Sequence, residues 1–117
     1  MNILILGSGI VGANLAKKLS EQGKNVFLLD DDANELKNLS ERFDIKTIYD
    51  DPLNPSFYKN FNTKIEYFIA VTRSDEKNII TSKFAKEFLN VDKSIARVRN
   101  QNLILDENKS LLIESNS

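Results

Sequence analysis

The 117-residue chain has neither cysteine nor histidine, which removes disulfides, thiolate nucleophiles, imidazole bases and the usual ligands of zinc, haem and iron–sulfur clusters. A basic excess is missing too. Sixteen Lys and Arg face seventeen Asp and Glu, a formal charge of −1, which excludes the cationic surplus that a dedicated nucleic-acid or anionic-membrane binder uses. Every apolar run is far shorter than the roughly 18–20 residues needed to cross a bilayer, and Met1 to Leu6 lack the basic start of a signal peptide. A cytoplasmic module is therefore expected, with no nucleic-acid partner and no direct membrane insertion. Glycine is scarce: there are four, and three of them fall between positions 7 and 12. The length suffices for one hydrophobic core, so residues 1–117 are expected to form a single domain, complete in itself or a piece of a longer protein.

What is present is an alternation of apolar runs and helical patterns, the rhythm of β-α-β units. Ile3 to Leu6 is a continuous apolar run closed by Gly7, as in a strand covered on both faces. From Ile10, the residues Val11, Leu15, Ala16 and Leu19 fall near helical spacing, and Gly23 suits the C-terminal cap. Val26 to Leu29 reads as the second strand, followed by a helix from about Asp32 to Phe43 whose inner side is Leu36, Leu39 and Phe43. Ile45 to Tyr49 is the third strand, and Pro52 and Pro55 lead through a turn into a short helix ending near Phe61. Tyr67 to Thr72 is the fourth strand. A helix from about Asp75 to Leu89 then carries Ile79, Ile80, Phe84, Phe88 and Leu89 on one apolar side. Ser94 to Val98 is the fifth strand. Right-handed crossovers make this an α/β, Rossmann-like, doubly wound parallel sheet of order 3-2-1-4-5. Leu103 to Leu105 suggests a last helix, whereas Leu111 to Ile113 continues it, forms a sixth strand or belongs to a tail; the sequence leaves these open.

Gly7, Ser8, Gly9, Ile10, Val11 and Gly12 form a GxGxxG directly between the first strand and the first helix, the context that gives the pattern meaning. Gly7 allows the tight turn, Gly9 lets the backbone approach a pyrophosphate, and Gly12 lets the helix pack closely on the sheet. The phosphates would sit on free N–H groups of the first helical turn, with no basic side chain required. Asp30, eighteen residues after Gly12, stands where a carboxylate accepts hydrogen bonds from a ribose diol. Asp31 joins it as a binding candidate, and Asp31 or Asp32 caps the next helix. Three acids without an arginine at this corner disfavour a 2′-phosphate, so NAD is expected over NADP.

The loops after the first four strands should edge the ligand, which adds Asp50, Asp51 and Thr72 as rim candidates. Thr72 or Ser74 also suits the cap of the helix beginning at Asp75. Arg97 and Arg99, two apart near the end of the fifth strand, share one side; they face phosphate, a partner's acid or simply solvent.

In four blocks the chain resembles the N-terminal nucleotide-binding domain of Trk-type potassium uptake regulators, the TrkA or RCK family: Ile3 to Gly12 (ILILGSGIVG), Leu29-Asp30, Ala70 to Asn78 (AVTRSDEKN) and Ile95 to Arg99 (IARVR). The last two are the discriminating ones. The resemblance implies a regulatory, non-catalytic domain that binds NAD(H) or an adenine nucleotide (ADP, AMP or ATP). It also implies a homodimer or ring, cytoplasmic and peripheral to the cell membrane through a potassium-transporting membrane subunit. By motif match, Gly7, Gly9 and Gly12 carry the phosphates, Asp30 the ribose, Thr72 lines the site, and Arg97 or Arg99 approaches phosphate or the dimer partner. Two departures are visible: Asp50-Asp51 replaces the family's Gly followed by a polar residue after the third strand, and Ile10 fills a slot where ATP-responsive members carry arginine. The second weakens the case for ATP. These regulators also continue into a smaller ligand domain, which this chain lacks. A dehydrogenase is the rival reading, yet the chain offers no histidine and no Tyr-x-x-x-Lys pair. A nucleotide sensor of another transporter shares every residue above and differs only in partner. The apolar segments after residue 100 favour a symmetric partner unless they complete the domain's own core.

Overall fold

Alternation along the first strand organises the molecule. In β1 (Asn2–Leu6), Ile3 and Ile5 join a core cluster with Ala16, Val26, Leu28, Leu36 and Leu39, while Leu4 and Leu6 join a second with Phe27, Leu29, Tyr58, Phe68 and Ala85. Successive side chains leave a strand on opposite faces, so a wholly apolar strand requires a helical layer on each side. The computed structural model describes residues 1–100 and the backbone of 112–115. Layer one is α1 (Ile10–Glu21) and α2 (Ala33–Arg42); layer two is α3 (Pro55–Asn60) and α4 (Asp75–Phe84), which runs on into a π-helical turn, Ala85–Leu89. Between them lie β2 (Asn25–Asp30), β3 (Lys46–Tyr49), β4 (Tyr67–Ala70) and β5 (Lys93–Arg97), with order β3-β2-β1-β4-β5 and every pairing parallel.

The fold is therefore the doubly wound α/β sheet read from the sequence. The last element resolves one open choice: β6 (Leu112–Ser115) is a sixth strand, antiparallel to β5, with Arg97 opposite Leu112 and Ser94 opposite Ser115. The alternative last helix at Leu103 to Leu105 lies outside the described residues.

Helix starts follow side-chain chemistry. Asp32 accepts from the Glu35 N–H at 3.1 Å, Asn54 from the Ser56 N–H at 3.0 Å with Pro55 just inside the helix, and Ser74 from the Lys77 N–H at 3.1 Å. Gln22 closes α1 and is followed by Gly23 at φ +84°, a left-handed residue that lets the chain turn into β2.

Two expectations need correction. The fourth and fifth strands stop at Ala70 and Arg97, short of Thr72 and Val98, because side chains of α4 take the backbone groups that further pairing would use. The apolar side expected for α4 is packed only in part. Phe84 and Leu89 pack against the core, while Ile80 and Phe88 are exposed, and the buried positions are Asn78, Thr81, Ser82 and Ala85. Small polar residues fit there because their groups are satisfied at once: the Thr81 hydroxyl donates to the Lys77 carbonyl, that of Ser82 to Ile79, and that of Ser94, on β5, to Ser82.

Gly12 fixes how closely α1 approaches the turn. A Cβ there would overlap the Gly7 carbonyl oxygen and lie 2.7 Å from the Gly7 carbon, both rigid backbone. Gly12→Ala is therefore expected to destabilise the fold by about 3 kcal/mol or more, read as a drop in the denaturation midpoint; an unchanged midpoint would refute the packing argument.

Candidate functional site

The turn from β1 into α1 opens onto a crevice of about 890 Å³ at the carboxyl ends of the strands, the place where open α/β sheets bind ligands. Gly7 has φ +120° and donates its N–H to the Leu29 carbonyl at 3.0 Å, so the chain swings across the end of β2 in a conformation that suits glycine. Gly9 caps α1 with backbone alone, its carbonyl accepting from the Ala13 N–H at 2.8 Å. Helix α1 has no side-chain cap and no acid in its first turn, whereas α2, α3 and α4 are all capped by side chains. Its leading N–H groups and the positive end of its dipole thus meet the crevice. Gly9 itself sits at φ −71° with nothing within 4 Å of where a Cβ would be. Neither strain nor packing requires glycine there, and the space it leaves opens beside the helix end.

Asp30 ends β2 and turns inward to the glycine loop. Its Oδ2 accepts from the Ser8 N–H at 2.7 Å and the Ser8 hydroxyl at 2.8 Å, and its Oδ1 from the Asp32 N–H at 3.0 Å. A carboxylate oxygen takes about two hydrogen bonds, so Oδ1 retains room for one more donor. Ser8 is buried. Burial pushes the Asp30 carboxyl up, and the Ser8 hydroxyl, the Ser8 N–H and the Asp32 N–H outweigh it, leaving the group below the ordinary carboxylate range. Asp31, Asp32 and Glu35 continue an acidic wall, and Ile10 and Val11 present exposed apolar side chains at the mouth.

The opposite wall is cationic: Arg73, Lys77, Arg97 and Arg99 all line it. Arg97 and Arg99 were candidates from sequence. Arg73 and Lys77 were missed, although both stand in the Ala70 to Asn78 block, because their wall is assembled only when β4 and β5 become neighbours. Thr72 lines the crevice, but its N–H and hydroxyl both donate to Asn78 Oδ1, at 2.9 and 2.7 Å, so neither hydrogen points to a ligand; Ser74 is the residue that caps α4. Asp51 stands away from the crevice lining. Its carboxylate accepts from the Leu53 N–H at 3.0 Å within the turn, and Pro52 reaches the crevice instead. Asp50 lines a smaller pocket with Asn54 and Phe57. The described residues contain no cluster of acids arranged to hold a metal ion, and no described helix is long and apolar enough to cross a membrane.

Asp75 is buried near the cationic wall, where main-chain N–H groups of Arg99 (3.0 Å) and Asn100 (2.7 Å) hold its carboxyl below its ordinary value. Both Asp30 and Asp75 thus have folded-state pKa values lower than those of the unfolded chain. Their stabilisation is present above the unfolded value near 4 and is lost as pH falls through the folded values. Acid titration of the unfolding free energy should decline below about pH 4, and Asp75→Asn should flatten part of that decline; an identical slope in the variant would remove Asp75 from the account.

The TrkA-N domain family matches residues 3–110. The Trk system potassium uptake protein TrkA of Haemophilus influenzae is 30% identical over 110 residues, which is 93% of this chain and 24% of that protein. The protein of the same name from Halomonas elongata is 35% identical over 100 residues, 85% of this chain and 22% of the relative. This chain therefore spans about a quarter of the length of those curated relatives. Among solved structures, the NAD(P)-binding domain of an exopolyphosphatase-related protein from Archaeoglobus fulgidus has a TM-score of 0.68 at 22% identity, covering 76% of this chain and 67% of that one. UDP-glucose 4-epimerase from Bifidobacterium longum, in complex with NAD+ and UDP, gives 0.63 at 15% identity, covering 79% and 35%. The structural likenesses show a shared fold, and the match along residues 3–110 shows more: the chain belongs to the TrkA-N domain family.

Proposed function

We propose that this domain binds NAD(H), or an adenine nucleotide such as ADP, AMP or ATP, and acts as a cytoplasmic regulatory domain for potassium uptake, without catalysis of its own. The observation that carries the reading is Gly9. Gly7 is accounted for by its backbone angle and Gly12 by the Gly7 carbonyl beneath it, but Gly9 leaves open space beside an uncapped helix end, as a ligand's phosphates need. Gly9 to Gly12 would hold the diphosphate on their N–H groups, and Asp30 Oδ1 would accept from a ribose hydroxyl. The acidic corner of Asp30, Asp31 and Asp32 disfavours a 2′-phosphate. Arg73, Lys77, Arg97 and Arg99 would meet the remaining charge at the far end of the ligand.

Family membership and the relatives named for potassium uptake support the regulatory role. A regulator works only if its ligand binds two states unequally, so occupancy of the crevice would alter packing in a homodimer or ring beneath a membrane potassium transporter. The exposed Ile80 and Phe88 on the α4 side offer apolar surface for a second copy.

Calorimetric titration with NADH, NAD+, ADP, ATP, AMP and NADPH tests the binding. We expect saturable heat with NADH or ADP and clearly weaker NADPH. Asp30→Ala should weaken binding about tenfold or more, the cost of one charge-assisted bond. Gly9→Ala should leave the melting temperature within about 2 °C, as an unstrained surface change does, and abolish saturation. Absence of heat with every nucleotide at millimolar concentration, or full binding by Gly9→Ala, would overturn the reading. Copurification of the full-length protein with a membrane potassium transporter is the expected outcome for the partner; recovery with soluble enzymes alone would refute it.

A further inference from the structure

The first turn of α4 holds more of the crevice than its caps require. Asn78 is fully buried and uses its whole hydrogen-bonding capacity: Oδ1 accepts from the Thr72 N–H and hydroxyl, and Nδ2 donates to the Thr72 carbonyl at 3.0 Å and the Arg97 carbonyl at 2.9 Å. One turn earlier, Asp75 accepts the main-chain N–H groups of Arg99 and Asn100. Residues three apart share a helix face, so one rigid element grips the ends of two neighbouring strands. The loop between is held from the far side as well, since Arg99 Nη2 donates to the Arg73 carbonyl at 2.7 Å. The pairing of β4 with β5 has already ended at Ala70 and Ala96, and these side chains take over from it.

We propose that Asn78 and Asp75 are positioning residues that lock the Thr72 loop and the Arg97–Asn100 segment into one unit, so that the floor of the crevice and its arginine rim move together or not at all. The proposal rests on the nucleotide-binding reading for the ligand that uses this unit, but not for the lock itself. Its physical basis is that a rotated Thr72 peptide would strand the buried Asn78 amide, and a buried polar group without partners is costly. Thr72 accordingly contributes shape to the site, with its hydrogens spent on Asn78. The arginines owe their placement to backbone bonds two residues apart, at the Arg97 carbonyl and the Arg99 N–H.

Amide hydrogen exchange on the whole chain, wild type against Asp75→Asn, tests the lock. Without ligand, the variant should exchange about fivefold faster or more at Arg99 and Asn100, as expected for a lost bond. It should do so at Thr72 as well, which Asp75 does not touch, with Leu4 and Leu28 altered only as global stability dictates. An unchanged Thr72 amide would overturn the lock. Should Asp75→Asn fail to fold, Asp75→Ser, which keeps a single acceptor, replaces it in this arm. With ADP as the probe, the wild type should slow at both Thr72 and Asn100 by similar factors, although Asn100 lies outside the crevice lining; in the variant only Thr72 should slow. ADP that binds without protecting Asn100 would overturn the coupling. Because the lock places guanidinium groups, Asp75→Asn should weaken ADP more than adenosine, and equal weakening would mark a merely structural role and overturn the positioning claim. If ADP gives no calorimetric signal, NADH replaces it as the probe; if no nucleotide gives one, the nucleotide reading fails and takes the ligand half of the inference with it, while the ligand-free arm alone decides the lock.

Discussion

The contact on which the rest depends is between two pieces of backbone. The third residue of α1 lies against the carbonyl of Gly7 so closely that a single methyl group would overlap it. This approach sets the angle at which α1 leaves the sheet, and so where its first N–H groups emerge. It also places Ser8 under the end of β2, where its N–H and hydroxyl reach Asp30. Steric exclusion at Gly12 thus orients both the helix end and the carboxylate. A strand of four apolar residues with helices on both faces supplies the rigid floor against which the turn is made.

Charge is distributed along the crevice with a sense of direction. Acids cluster at the end of β2 and the start of α2, with Arg42 at the far end of that helix, most cations gather where β4 and β5 end, and the uncapped helix lies between. The near-neutral composition hides this separation, because sixteen positive and seventeen negative side chains cancel in any sum over the chain. A ligand carrying hydroxyls at one end and phosphate farther along matches the gradient, and an added phosphate at the acidic end opposes it. In this respect local arrangement outweighs net charge.

Much of the framework was legible because it follows from short-range pattern. Ile3 to Leu6 and Val26 to Leu29 read as strands since burial on two faces leaves no polar positions, and the order 3-2-1-4-5 followed from crossover handedness. The caps of α2 and α4 were narrowed to neighbouring residues and fell to Asp32 and Ser74. What stayed hidden depends on tertiary partners. The ends of β4 and β5 are set by Asn78, a residue that periodicity counts only as polar. The apolar side of α4 is right at Phe84 and Leu89 but not at Ile80 and Phe88, because close contact with the sheet favours small residues able to bond back to their own helix. Asp51 had the right chemistry, but its carboxylate is engaged in the local turn. Arg73 and Lys77 acquire meaning only once two strands distant in sequence lie side by side.

The strand order also decides which margins of the sheet meet solvent. On one side the antiparallel β6 pairs with β5, and on the other β3 is a margin of only four residues that begins with Lys46, whose ammonium lies 5.1 Å from the ring centroid of Phe27. A margin so short and cationic is a poor template for another chain's backbone. Lateral growth of the sheet from the β3 margin is thereby discouraged.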